Sequence, residues 1–140
     1  MKHIKQISKS PDETIKIAEC LAKKLKKGNF ISLNGELGAG KTIFTKGVAK
    51  GLGVKFYNYV NSPTFVIVKE YKGRLPLYHF DVYRIDSSDE LINVGFERYF
   101  YDKGVTVCEW ADKIKSILPN ERIEVSIKNL GKQKRLISIK

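Results

Sequence analysis

The stretch Gly35-Glu36-Leu37-Gly38-Ala39-Gly40-Lys41-Thr42 constrains this chain more than any other feature. It fits the pattern Gly-x-x-x-x-Gly-Lys-Ser/Thr, whose glycines let successive backbone amides turn toward one phosphate. In that pattern the lysine reaches the β- and γ-phosphates, and the Ser or Thr hydroxyl completes a magnesium shell. At this chain's own frequencies of Gly, Lys and Ser/Thr, chance would produce such a match about one time in a hundred. The flanks agree with it. Phe30-Ile31-Ser32-Leu33 reads as a short apolar strand, and Thr42 to Leu52 as a helix stopped by Gly53. Strand, glycine-rich turn and helix in that order bring the positive end of a helix dipole to the loop.

Around this unit the patterning predicts further elements. Ser10-Pro11-Asp12-Glu13 is a helix start: Ser10 caps, Pro11 takes the first helical position and Glu13 closes a capping box. Ile15, Ala18, Leu21, Ala22 and Leu25 follow at helical spacing, and Gly28 ends the pattern. Residues 64–71 and 75–81 read as two strands joined by a Lys72-Gly73-Arg74 turn. Ser87-Ser88-Asp89-Glu90 opens another helix running into Leu91, Ile92, Val94 and Phe96. Val105-Thr106-Val107-Cys108 has the continuous apolar character of a strand buried on both faces. Ile123, Val125 and Ile127 alternate, and a turn at 129–132 leads into Leu136 to Ile139, a C-terminal hairpin. With βα units and hairpins in one chain of 140 residues, a single domain is expected over 1–140. Its expected class is α/β, a three-layer P-loop NTPase-like fold with a mixed β-sheet.

Charge and composition narrow the class less. The net charge is +11, and the 26 basic residues comprise 21 Lys and five Arg (74, 84, 98, 122 and 135). Such a balance suits contact with a polyanion, but arginine is the residue that grips phosphate bidentately. The excess lies at the ends: residues 1–34 and 111–140 each carry eight basic and three acidic groups, and residues 35–110 carry ten and nine. Cys20 and Cys108 are far apart with no Cys-x-x-Cys spacing, which points to reduced thiols rather than structural zinc. No apolar run approaches a membrane span, and Met1 to Gln6 lead into a charged segment without a signal-like apolar core. A cytoplasmic protein is expected, with no membrane contact.

A P-loop enzyme also needs an acid at the end of a neighbouring strand to hold magnesium or orient water. Glu109 follows the buried run 105–108, and Asp81 ends a more amphipathic strand. The Asn-Lys-x-Asp guanine-reading motif of GTPases is absent. A small-molecule kinase would want an arginine-bearing lid, for which Arg84 and Arg98 are the only central arginines near a plausible site.

Four segments in order resemble the TsaE (YjeE) family of small bacterial ATPases. They are the loop 35–42, Ser62-Pro63-Thr64-Phe65, His79-Phe80-Asp81-Val82-Tyr83-Arg84, and Glu109-Trp110 with Asp112. The resemblance implies that ATP is held by Glu36, Leu37, Gly38, Ala39, Gly40, Lys41 and Thr42, and Mg2+ by Thr42 and Glu109. It implies Asp81, Lys41 and Thr64 as catalytic residues, Thr64 on a switch-type loop that senses the γ-phosphate. It further implies weak ATP hydrolysis, stimulated when the chain, a monomer alone, joins TsaB and TsaD to make threonylcarbamoyladenosine at position 37 of tRNAs reading ANN codons. The tRNA would be met indirectly, through that complex. Two departures stand out: Ile43 and Lys46 occupy places where the family often has Thr and Arg. His79 reads either as a hydrogen-bonded strand residue or as part of the site, and Arg84 as a phosphate contact or a salt bridge. Packing is expected for Tyr83 and a site-wall or interface role for Trp110. Two other classes stay open: a nucleotide-gated binding module with incidental hydrolysis, and a small-molecule kinase.

Overall fold

The computed structural model describes residues 3–140; Met1 and Lys2, the first two residues of the N-terminal segment read above, lie outside that range. Seven strands form one mixed sheet: β1 (Ile4–Ser8), β2 (Phe30–Gly35), β3 (Val68–Tyr71), β4 (Leu77–Asp81), β5 (Val105–Glu109), β6 (Ile123–Gly131) and β7 (Lys134–Ile139). Their spatial order is β1-β7-β6-β2-β5-β4-β3. The central strands β6, β2, β5 and β4 are mutually parallel, while β1 with β7, β7 with β6, and β3 with β4 are antiparallel. Helices α1 (Pro11–Ala22) and α2 (Lys41–Gly51) cover one face; α3 (Ser88–Val94) and 3-10 turns at Phe96–Tyr101 and Ala111–Ile117 cover the other. This is the three-layer α/β architecture expected from the order of elements.

The strand period of two assigns each face. Ile31, Leu33, Val105, Val107 and Val125 pack under α1 and α2, whereas Phe30, Tyr78, Phe80 and Cys108 join Phe100, Leu91 and Ile114 on the opposite side. Helices α1 and α2 approach closely at Gly47, where a Cβ would lie 2.5 Å from both Ala18 Cβ and Ile15 O. Leu77, His79 and Asp81 therefore point to the same face as Val107 and Glu109. That shared direction brings the two strand-terminal acids together.

The Ser10 cap forms as expected, its hydroxyl accepting from Glu13 N–H at 3.1 Å. Glu13 reaches one residue further back than a capping box requires, to Lys9 N–H at 2.9 Å. Helix α1 stops at Ala22 rather than continuing to Gly28. Leu25 is still buried, folded back by its N–H on Ala22 O, and Arg74 donates to Ala22 O at 2.8 Å and Leu25 O at 3.3 Å. An arginine distant in sequence thus satisfies carbonyls that further helix would have used.

Residues 64–67 are not strand. Phe65 and Val66 are exposed, and Ile67 sits at φ 73°, a conformation unusual for a β-branched residue. The helix expected to include Phe96 ends at Gly95, whose φ is 77°. The C-terminal hairpin turns at Lys132-Gln133, later than 129–132, because a bulge between Asn129 and Gly131 shifts the register. Strand β1 was not expected. It is an edge strand with only Ser8 buried, so it lacks an apolar face to read. By pairing with β7 it brings the two lysine-rich terminal segments side by side.

Candidate functional site

Parallel strands β2, β5 and β4 end at one edge of the sheet, where the ligand crevices of open α/β folds lie. There Gly35 leaves β2 so close to β6 that a Cβ would stand 2.7 Å from Ile127 O. The loop that follows takes positive φ at Gly38 (77°) and Gly40 (107°), Gly40 forming the N-cap of α2. A side chain at either position would be strained. The loop closes on itself through Ala39 N–H to Glu36 O at 3.0 Å.

A cleft of about 530 Å³ opens over this loop. Its walls include Leu37, Gly38, Gly40, Lys41 and Thr42 from the loop, Ser62 and Thr64 from the segment before β3, Asp81 from β4, and Glu109 from β5. Eight expected residues, Leu37, Gly38, Gly40, Lys41, Thr42, Thr64, Asp81 and Glu109, therefore meet at one cavity. Glu36 and Ala39 do not line it: Ala39 is buried, and Glu36 lines a neighbouring cleft with Tyr83 and Lys113. Their expected contribution is through the backbone.

Lys41 is 5% exposed, and its ammonium donates to Gly35 O at 2.5 Å and Glu36 O at 3.0 Å. Trp110, at φ 63°, lays its ring 4.0 Å from the same ammonium. Burial holds the Lys41 pKa below the ordinary lysine value, while Glu109 and Asp81 oppose that shift by favouring the charged form. The Lys41 ammonium is thus held by two loop carbonyls under an aromatic wall, with Glu109 and Asp81 facing it.

Asp81 is hydrogen-bonded on both oxygens. Oδ1 accepts from Tyr83 N–H at 2.9 Å, and Oδ2 accepts from the Ser62 hydroxyl and from Thr64 Oγ1 at 3.3 Å. Thr64, expected to face a phosphate, is thus engaged with Asp81 and with Ser62, 3.2 Å away. Asp81 fastens the 62–64 segment to the end of β4. The main chain reinforces this, since Asp81 N–H donates to Ile67 O at 2.8 Å.

Glu109 is 3% exposed, and its Oε2 lies 2.5 Å from Nε2 of fully buried His79. Its other carboxylate oxygen and the Thr42 hydroxyl take no hydrogen bond from the described residues, and both residues line the cleft. Among the described residues no three His, Cys, Asp or Glu side chains gather as a metal cage. One hydroxyl and one carboxylate suit a hard cation that takes its remaining ligands from water and phosphate, as magnesium does.

Tyr83 is 39% exposed and stacks on Trp110 with ring centroids 4.9 Å apart, so it is a wall of the site rather than core packing. Arg84 lies over the Phe65 ring at 4.3 Å, takes no acidic partner among the described residues and is not part of the cleft wall. The arginine that reaches the loop is Arg135, on the C-terminal hairpin outside the central segment. No local signal marks it, because it sits in a basic hairpin 96 residues from its partner Ala39.

The family model described as "Threonylcarbamoyl adenosine biosynthesis protein TsaE" matches residues 8–137. A curated Bacillus subtilis protein named tRNA threonylcarbamoyladenosine biosynthesis protein TsaE is 48% identical over 139 residues, covering 99% of this chain and 85% of that one. A Treponema pallidum protein of the same name is 37% identical, covering 95% of this chain and 97% of its own. The crystal structure of Bacillus subtilis YdiB superposes with a TM-score of 0.81 at 42% identity, over 99% of this chain and 84% of that one. The loop, the acids behind it and these likenesses along almost the whole chain lead to one conclusion: the chain belongs to the TsaE family.

Proposed function

We propose that this chain is a Mg2+-dependent ATP hydrolase whose cycle drives turnover of a TsaB–TsaD complex making threonylcarbamoyladenosine in tRNA. The observation that carries the reading is the meeting of Lys41, Thr42, Asp81 and Glu109 at one cleft. The loop amides and Lys41 bind and orient the polyphosphate. Thr42 and Glu109 would hold the magnesium ion, which supplies charge neutralisation at the phosphates when bound. His79 keeps Glu109 aimed at the cleft, and Trp110 with Tyr83 shields one wall from water. Asp81, through Ser62 and Thr64, fixes the segment that would meet the terminal phosphate. Catalysis here is positioning and electrostatics, as phosphoryl transfer requires.

The supporting measurement is steady-state phosphate release with and without TsaB–TsaD. Stimulation by the pair is expected, and its absence under conditions where the complex forms would sink the assignment. A second reading has its own observation: two of the three hydrogen bonds on Asp81 come from the 62–64 segment, which suits a nucleotide-gated switch. Asp81→Asn keeps the shape of the carboxylate while weakening both roles. If that variant binds ATP, hydrolyses none and still supports repeated rounds of tRNA modification, gating suffices and hydrolysis is incidental. Transfer of phosphate to an acceptor other than water would favour a kinase instead. The chain is taken to act as one domain, alone a monomer, in the cytoplasm.

A further inference from the structure

The C-terminal hairpin has no part in the nucleotide reading so far, yet its end is joined to the loop. Arg135 on β7 donates from Nε to Ala39 O at 2.8 Å and from Nη2 to Gly38 O at 3.4 Å. Its Nη1 donates to Asn129 Oδ1 at 2.9 Å and to Lys134 O at 3.0 Å. Asn129 Oδ1 also accepts from Gly131 N–H at 2.8 Å, across the bulge that ends regular pairing of β6 with β7. The bulge therefore orients Asn129, Asn129 orients the guanidinium, and the guanidinium holds two consecutive carbonyls of the loop. Among the described residues no other arginine touches the loop: Arg74 caps α1, Arg84 lies on Phe65, Arg98 sits beside Gly95 and Arg122 pairs with Glu124.

A trans peptide points its C=O and N–H in opposite directions. Anchoring Ala39 O on Arg135 therefore turns the Gly40 N–H away from β7. Gly40 lines the cleft, and its N–H has no acceptor among the described residues, whereas the Ala39 N–H is used within the loop. The φ of 107° at Gly40 leaves that peptide plane without the steric definition a side chain would give.

We propose that Arg135 is a positioning residue for phosphate binding: the hairpin holds the 38–40 peptides so that the Gly40 amide is aimed before ligand arrives. The inference rests on the nucleotide reading of the cleft and deepens it.

Calorimetric titration of the full chain with pyrophosphate and with ADP, each with magnesium, tests this. Arg135→Ala is expected to weaken both probes about tenfold, the size of one or two charge-assisted hydrogen bonds. The two losses should be equal, because the base is not involved, and methylguanidinium should restore part of the affinity. Arg135→Lys keeps the charge without the fork, so it should lose most of what Arg135→Ala loses. Full affinity in Arg135→Lys would reduce the role to charge alone and overturn positioning. Should Arg135→Ala fail to fold, Arg135→Gln, which retains one donor, carries the same expectation. Wild-type binding with unchanged affinity in the Arg135 variants overturns this role alone. A wild-type chain that binds neither probe overturns the nucleotide reading and this role with it.

Discussion

On one flank of the glycine-rich loop, parallel strands β4 and β5 end in acids that are almost fully buried; on the other, an antiparallel hairpin delivers a half-buried arginine to the loop's carbonyls at the rim of the cleft. The acidic flank consists of groups that burial penalises, with Glu109 confined against His79 and Asp81 held by Ser62, Thr64 and the Tyr83 amide; burial also holds Lys41, on the loop they face, below its usual pKa. The hairpin flank consists of hydrogen bonds to carbonyls with water nearby. Groups that would do chemistry sit where isolation strengthens their fields, and the group that shapes the backbone sits where desolvation is small.

The largest expected effect comes from removing the cation between the flanks. Lys41→Met should lower affinity for magnesium–ADP at least about a hundredfold, as loss of a charged phosphate contact inside a cleft would. Its thermal midpoint should be equal or higher, because the charged ammonium is disfavoured by burial in the native state. A clear fall in the midpoint would show that Lys41 is mainly structural.

Next is the His79–Glu109 pair. His79→Leu leaves a buried carboxylate without its partner and should destabilise the fold by about 2–3 kcal/mol in urea unfolding. His79→Leu combined with Glu109→Leu should regain most of that loss, since removing both partners can approach neutrality. If the double variant is no more stable than the single one, the pair is not the source of the loss. An equal loss from Arg135→Ala would erase the contrast between the flanks.

The smallest effect lies on the opposite face of β4, at Tyr78. Burial, reinforced by its hydrogen bond to Asp102, raises the Tyr78 pKa from 10.0 to about 12. The folded state thus holds this proton more tightly than the unfolded state. The resulting stability is complete below about pH 10 and is lost as pH rises toward 12. Unfolding free energies of wild type and Tyr78→Phe should therefore converge across that interval. Curves that stay parallel would remove Tyr78 from the alkaline response.

The loop, its flanking strand and helix, the buried run 105–108 and both hairpins were legible locally, because each depends on residue types a few positions apart. The acids were legible as strand ends, and strand polarity then made them neighbours. Failures occurred where one segment depends on a distant one. The apolar run 65–67 reads as strand, but its backbone is tied to Pro63 and Asp81, and two of its side chains stay exposed. Leu25 reads as helix, but the chain turns at Ala22, where Arg74 supplies the donors. Strand β1 has no apolar face and exists because β7 offers it an edge.

From sequence alone came an α/β chain with a glycine-rich loop of the phosphate-binding pattern, and Lys41, Thr42, Asp81 and Glu109 as its candidate chemistry. Glycine torsions, helix polarity and strand burial are set by residues close together in the chain. Only the tertiary structure decided that His79 would confine Glu109, that Asp81 would fasten the 62–64 segment, and that Arg135 would grip the loop. Those contacts join residues 17 to 97 positions apart, and their energies exist only after the sheet has ordered its strands.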